Sequence, residues 1–431
     1  MYELKVRSHS SGTKIPKIEA VMVNKERFSN LPDYPFSRLR NLLGEVGDQE
    51  GSIDFSIGAP RHPVPSFVAK GISQNPKNLN NYPPNFGSKE LLLTISKWLS
   101  KRYEMKPPSP ESALIALNGS REGIFNATLC LCDKKGSKGK PVILIPNPFY
   151  QCYLAATLAA DAEPIFVPAT PDNNFLPDFS KLSPEILNRT TILFVCSPSN
   201  PQGAVADLAY WEALFALAEL YGFKIFSDEC YSEIYRDKKP IGILQASSIL
   251  RNDPEKVLSF NSLSKRSNLP GIRSGYVCGG ETSIGRIKKL RSYGGAPLPM
   301  PIQEVSKLAW DDEKHVEINR HLYQKKYEIA DQIFGNLKEY YPPEAGFFLW
   351  LKVSNGEKLT LSLWKSFGVK CLPGSYLTHY EKNCPNIDSP GHSYIRVALV
   401  HSIEKTTLGL IKIAKALKLN PNEDIESYVS N

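Results

Sequence analysis

Five short apolar runs, at residues 113–117, 142–146, 192–196, 224–227 and 257–260, punctuate the middle of the chain, and the stretches between them are longer and helically spaced. Short runs that are apolar throughout suit strands buried on both faces. Parallel strands need long crossover connections, which helices fill. Residues 208–221 show such a helix, ending at Gly222 where a glycine can take the left-handed conformation that closes it. The pattern predicts an α/β fold: a large domain with a mostly parallel sheet flanked by helices, plus a smaller α/β domain. In sheets of this kind the working residues gather at the carboxyl ends of the strands.

A chain of 431 residues suits two intertwined units better than one. Residues 1–27 read as a polar extension, since Glu3, Glu19 and Glu26 interrupt it and no apolar core makes it a leader peptide. Residues 28–60 are assigned to the first part of the smaller domain, 61–298 to the large domain and 299–431 to the rest of the smaller one. Within the last segment helices are expected at 303–313 and 315–340, strands near 346–353 and 394–400, and a final helix after Ser402.

Composition excludes several functions. No apolar run approaches the roughly 20 residues that span a bilayer. The chain carries 52 basic and 44 acidic residues, a net charge of +8, but the basic residues are scattered. Their densest group, Lys134, Lys135, Lys138 and Lys140, sits with Gly136 and Gly139 and reads as a surface loop, so no nucleic acid is expected. A positive excess also suits an enzyme that handles carboxylates and a phosphate. Cys130 and Cys132 lie two apart with no second pair or nearby histidine to complete a metal set, so no metal is expected. The cysteines read as reduced thiols of a cytoplasmic protein.

Five motifs follow the predicted strands. The run Ser262-Leu263-Ser264-Lys265-Arg266-Ser267-Asn268-Leu269-Pro270-Gly271-Ile272-Arg273 places a lysine just past a strand end, where it can form a Schiff base with an aldehyde cofactor. Its hydroxyl residues and Arg273 suit a phosphate held nearby. In Ser227-Asp228-Glu229-Cys230-Tyr231 a strand-end carboxylate can pair with a protonated pyridine nitrogen, within reach of a phenol. Ser197-Pro198-Ser199-Asn200-Pro201-Gln202-Gly203 is a stiff loop offering an amide. Asn118-Gly119-Ser120-Arg121-Glu122-Gly123 opens a helix whose N–H groups attract phosphate. Finally, Arg396 stands in the apolar stretch Tyr394-Ile395-Arg396-Val397, which is costly unless the arginine meets an anion such as an α-carboxylate. Taken singly, each motif is matched by a bland reading: a basic loop, a helix cap, a turn, a structural ion pair.

Together and in this order, the motifs resemble the class I/II aminotransferases of pyridoxal-phosphate fold type I, from about Leu31 to the C-terminus. The resemblance implies pyridoxal 5'-phosphate as cofactor, with Lys265, Asp228 and Tyr231 as catalytic residues. It implies that Lys265 binds the cofactor covalently and moves the substrate proton. Asp228 would hold the pyridine nitrogen, Asn200 and Tyr231 the ring's 3-oxygen, and Tyr150 would stack on the ring. Gly119, Ser120, Arg121, Ser262 and Arg273 fall in the cofactor-binding set. Arg396 would clamp the substrate carboxylate, with Gly58 and Asn200 lining the substrate. Tyr82 would cross to the phosphate of a neighbouring subunit, implying a homodimer. The family's Asn-Pro-Thr-Gly stands here as Asn200-Pro201-Gln202-Gly203, a change away from the cofactor contact.

Further stretches, among them Ile57-Gly58-Ala59-Pro60-Arg61-His62-Pro63 and Ser232-Glu233-Ile234-Tyr235, are similar to the bacterial succinyldiaminopimelate transaminase subgroup, although its Gly-Glu-Pro is Gly58-Ala59-Pro60 here. That subgroup exchanges an amino group between N-succinyl-LL-2,6-diaminopimelate and 2-oxoglutarate in diaminopimelate and lysine biosynthesis. Such substrates need a second cation for their distal end, for which Arg38, Arg61 and Arg266 are equal candidates. The alternatives are another aminotransferase, of acetylornithine, aspartate or alanine type, or a C–S β-lyase of the same fold.

Overall fold

The computed structural model describes residues 28, 31–44, 51–74, 79–133, 139–379 and 389–418. The expected extension at 1–27, and Lys134, Lys135 and Lys138 of the expected basic loop, lie outside these residues. The strands are β1 (Ile53–Asp54), β2 (Leu114–Leu117), β3 (Val142–Asn147), β4 (Glu163–Pro168), β5 (Thr190–Cys196), β6 (Lys224–Asp228), β7 (Val257–Ser262), β8 (Gly275–Gly279), β9 (Phe348–Lys352), β10 (Val369–Lys370), β11 (Leu372–Pro373) and β12 (Tyr394–Ala398).

Seven strands form the main sheet in the order β2-β8-β7-β6-β5-β3-β4. β4, β3, β5, β6 and β7 are mutually parallel, and β8 runs antiparallel to both β7 and β2. All strands except β8 therefore point the same way, and the loops after β2, β3, β5, β6 and β7 emerge at one edge. The five apolar runs correspond to these five strands and are buried throughout except at the half-buried Lys224. One core packs on each face of the sheet, the larger holding Trp98, Tyr103, Trp211, Tyr276 and Trp310, the other Tyr153, Phe194, Phe226 and Phe260.

A second body joins β9, β11 and β12 in an antiparallel sheet and pairs β1 with β10. Its core takes in Ile53 and Phe55 from near the start of the chain together with Tyr323, Tyr327, Ile395 and Val397 from much later in it. One boundary needs correction. The helix Met300–Asp311 buries Val305, Ala309 and Trp310 in the core of the main sheet, against the helices Phe67–Ser73 and Lys89–Tyr103. The change of body thus follows this helix and precedes Lys314–Phe334, rather than falling after residue 298. That long helix also stops short of the expected residue 340.

Candidate active site

The loops at the shared edge line a cavity of about 440 Å³ whose walls include Gly58, Ser120, Arg121, Tyr150, Asn200, Asp228, Tyr231, Ser262, Lys265, Arg273 and Arg396. Gly119 adjoins it. Of the expected site residues only Tyr82 stands apart: its side chain is fully exposed and lines no part of this cavity.

Lys265 lies on the short helix Leu263–Arg266, which starts directly from β7 with the Ser262 hydroxyl capping the Ser264 N–H at 3.0 Å. Its Nζ donates to the Gly58 carbonyl. Burial pushes the amine down to about 8, although Cys230 and Asp228 favour its charge. A lysine so shifted reaches its neutral, nucleophilic form far more readily than an exposed one.

Asp228 ends β6 and is buried, and burial raises its pKa. Its carboxylate accepts from the Tyr153 hydroxyl at 3.0 Å and from the Cys230 N–H at 3.3 Å. Tyr153 is itself locked by stacking on Phe194, with centroids 4.5 Å apart. Tyr231 is wedged edge-on against Phe347 and Phe348.

One end of the cavity is built for an anion. Gly119 has φ +83°, and a Cβ there would fall 2.1 Å from Arg273 Nη2, so only glycine lets the guanidinium approach this closely. Arg273 donates to the Asn118 carbonyl at 3.3 Å. Ser120 is the first residue of a 12-residue helix, whose free N–H groups carry partial positive charge. Ser264 and Ser262 add hydroxyls 2.8 Å apart. Arg121 leans outward and donates through Nε to the Tyr150 hydroxyl.

At another wall Arg396 projects from β12. It donates to Asn200 Oδ1 at 3.0 Å and to the Ser56 carbonyl at 2.8 Å, and its Cζ lies 4.3 Å from the Phe348 ring centroid. Its Nε is buried with no partner, and no carboxylate of the described residues pairs with it. Burial lowers its pKa to about 10. Such a site is completed by an incoming anion.

A buried amine, a buried carboxylate, a phenol and a cationic, hydroxyl-lined cradle around one cavity fit pyridoxal phosphate. Sequence reasoning passed over Tyr153, although it stands three residues beyond Tyr150, one helical turn on. It also passed over Tyr34, which lines the cavity from the N-cap of the helix Pro35–Leu43. Arg266, a candidate for a distal substrate clamp, is corrected: it is buried, spent on Glu313 and the Ala309 carbonyl, and absent from the cavity wall. No His, Cys, Asp or Glu group among the described residues is arranged to hold a metal ion.

The family model of class I and II aminotransferases matches residues 50–407. The chain belongs to the class I and II aminotransferases. It is therefore a pyridoxal-phosphate-dependent aminotransferase. The LL-diaminopimelate aminotransferase of Dehalococcoides mccartyi is 29% identical, the match covering 90% of this chain and 97% of the relative. That of Moorella thermoacetica is also 29% identical, over 92% and 99%. Among solved aminotransferases, one from Neisseria meningitidis superimposes with a TM-score of 0.84 at 36% identity, covering 91% of this chain and 98% of that one. A probable N-succinyldiaminopimelate aminotransferase from Thermus thermophilus, at 22% identity and TM-score 0.77 over 88% and 99%, shares the fold. No helix of the described residues is long and apolar enough to cross a membrane.

Proposed function

We propose that this aminotransferase moves an amino group between a diaminopimelate-class amino acid and 2-oxoglutarate, and that the N-succinylated LL form is its preferred substrate. The names of the Dehalococcoides and Moorella relatives support the diaminopimelate skeleton; the succinyl group rests on the stretches around Gly58, Asp228 and Lys265. The observation that carries the reading of an amino-acid substrate is Arg396: a buried guanidinium with no carboxylate partner and an unspent Nε calls for a carboxylate, which every amino-acid substrate brings.

Pyridoxal phosphate, when bound, supplies an aldehyde carbon for the amino group and a ring that accepts electron density from the substrate Cα. Lys265 Nζ would hold it through the aldehyde carbon and is the amine that would move the substrate Cα proton. Asp228, steadied by Tyr153, holds the pyridine nitrogen in its protonated state. Tyr231 and Asn200 hold the 3-oxygen, and Tyr150 covers the ring. Gly119, Ser120, Arg121, Ser262, Ser264 and Arg273 take the phosphate. Gly58 and Asn200 line the substrate, and Arg396 fixes its α-carboxylate. Tyr82, free of its own chain's cavity, completes the site of a second copy in a homodimer.

The test is a half-reaction screen in which amino donors are mixed with enzyme and the loss of aldehyde-form absorbance is followed. The succinylated substrate should exceed acetylornithine, aspartate and alanine in kcat/KM by roughly tenfold to a hundredfold, the worth of a buried ionic partner. If any of the three matches it, the substrate assignment fails. Lys265→Ala should abolish both turnover and cofactor fixation by borohydride. A fully active monomer in sedimentation would overturn the shared site.

A further inference from the structure

Beside the active-site cavity lies a second one of about 640 Å³, and Tyr34, Pro35, Arg121, Tyr150, Gln151 and Arg273 belong to the walls of both. Arg38 lines only the second. It sits one helical turn beyond Tyr34, on the same face of Pro35–Leu43, so the two side chains stand in sequence along the way out of the site. The Arg38 guanidinium lies over the Tyr376 ring, 3.9 Å from its centroid, which fixes its plane. Its acidic neighbour, Glu357, stands 3.9 Å away, beyond hydrogen-bond range, and accepts instead from the Ser375 hydroxyl at 3.0 Å. Among the described residues no hydrogen-bond acceptor occupies the fork of Arg38.

The other cations are less suited. Arg266 is spent inside the protein, and Arg61 is exposed and lines neither cavity. Arg121 is tied to the Tyr150 hydroxyl. Two acids share the second cavity with Arg38, but Glu122 is neutralised by Arg291 and only Asp33 is left exposed there.

We infer that Arg38 is the specificity-determining cation that receives the distal carboxylate of a long-chain amino acid whose α-carboxylate is held by Arg396. The inference deepens the proposed function and rests on its placement of the α-carboxylate. A short side chain confined to the first cavity leaves the Arg38 fork without a hydrogen-bond acceptor, with only the longer ion pair to Glu357 at 3.9 Å; a chain that passes Tyr34 and Arg121 reaches it. The planar fork, held over Tyr376, offers a carboxylate two parallel hydrogen bonds.

The experiment compares half-reactions of the holoenzyme with 2-aminopimelate and 2-aminoheptanoate, which differ only in carrying a carboxylate or a methyl at the far end. LL-diaminopimelate and its N-succinyl form are run beside them. Wild type should favour 2-aminopimelate. In Arg38→Gln the ratio of the two rates should fall about tenfold or more, and Arg38→Lys should keep part of the preference, because it keeps the charge and loses the fork. An unchanged ratio in Arg38→Gln, equal losses with both substrates, or no preference in wild type overturns the inference. If wild type ignores both diaminopimelates while Arg38→Gln still erases the carboxylate preference, the substrate reading fails and the role of Arg38 stands. If wild type converts them and Arg38→Gln does so equally well, the reverse holds.

Discussion

Tyr153 shows what a motif conveys and what it leaves out. Lys265, Asp228, Asn200 and Tyr231 stand at or after strand ends, Arg396 stands inside an apolar strand, and all carry distinctive chemistry, so they were legible in the sequence and now line one cavity. A residue that acts through another looks like core, and Tyr153, fully buried and stacked on Phe194, is indistinguishable in sequence from any packed aromatic. Its hydroxyl nonetheless holds the carboxylate of Asp228. Tyr153→Phe keeps the ring and removes that one bond, leaving the Cys230 N–H as the remaining support. The loss should be modest, about 1–2 kcal/mol or roughly tenfold in kcat, with KM little changed. Asp228→Ala should cost far more, on the order of 3–4 kcal/mol or beyond. Steady-state kinetics of both variants decide it, and a Tyr153→Phe defect as large as that of Asp228→Ala would mean that the phenol itself touches the reacting atoms.

At the scale of elements, visibility tracked burial. β2, β3, β5, β6 and β7 stood out because they are buried on both faces, so each carries an apolar run with few polar residues. β4 did not: it is an edge strand, mostly half-buried, and begins and ends beside prolines. β8 was hidden because glycines stand at both its ends, leaving only three side chains to mark it. The helix Met300–Asp311 was recognisable as a helix, but an apolar stripe does not say which core it will meet. The turn from β2 into Ser120–Leu131 was legible through Gly119, and the structure supplies the reason in the approach of Arg273. Gly119→Ala should therefore strain a backbone at φ +83° and push the arginine away. We expect a stability loss of about 1–3 kcal/mol and a larger proportional loss in cofactor affinity, measurable by titrating the apoenzyme with pyridoxal phosphate. Retention of wild-type affinity would show that the cradle is not where the phosphate sits.

At the scale of the molecule, the two bodies meet around a buried polar knot that composition could not announce. Lys326, within the second core, lies 2.6 Å from His62 Nε2 and 3.0 Å from the Leu399 carbonyl. His62 Nδ1 meets Asn319 Oδ1 at 2.5 Å, and the Asn319 amide reaches back to the Lys265 carbonyl at 3.4 Å. The knot thus links the chain segment after Gly58 to the backbone of Lys265. Since Lys326 donates to it, His62 must be neutral, with its proton on Nδ1. Burial, and then the charge of Lys326, lowers its pKa to about 4. Lys326 is itself lowered to about 7 by burial, so its own contribution to stability changes above neutrality and is nearly constant below it. The acid side therefore belongs to His62. The unfolded chain takes up a proton on this histidine as pH falls through about 6.5, the folded chain only near 4, so stability present above 6.5 is lost progressively between those limits. His315 and His401, lowered likewise, add to the same slope, which makes a difference measurement necessary. His62→Gln keeps an acceptor for Lys326 and a donor for Asn319 but cannot titrate. Its stability in urea should fall less than wild type's between pH 7 and pH 5, by about 1 kcal/mol once the partial exposure of the ring is discounted. Parallel pH dependence in the two proteins would show that His62 titrates alike in the folded and unfolded chain, and that Lys326 takes its hydrogen bond elsewhere.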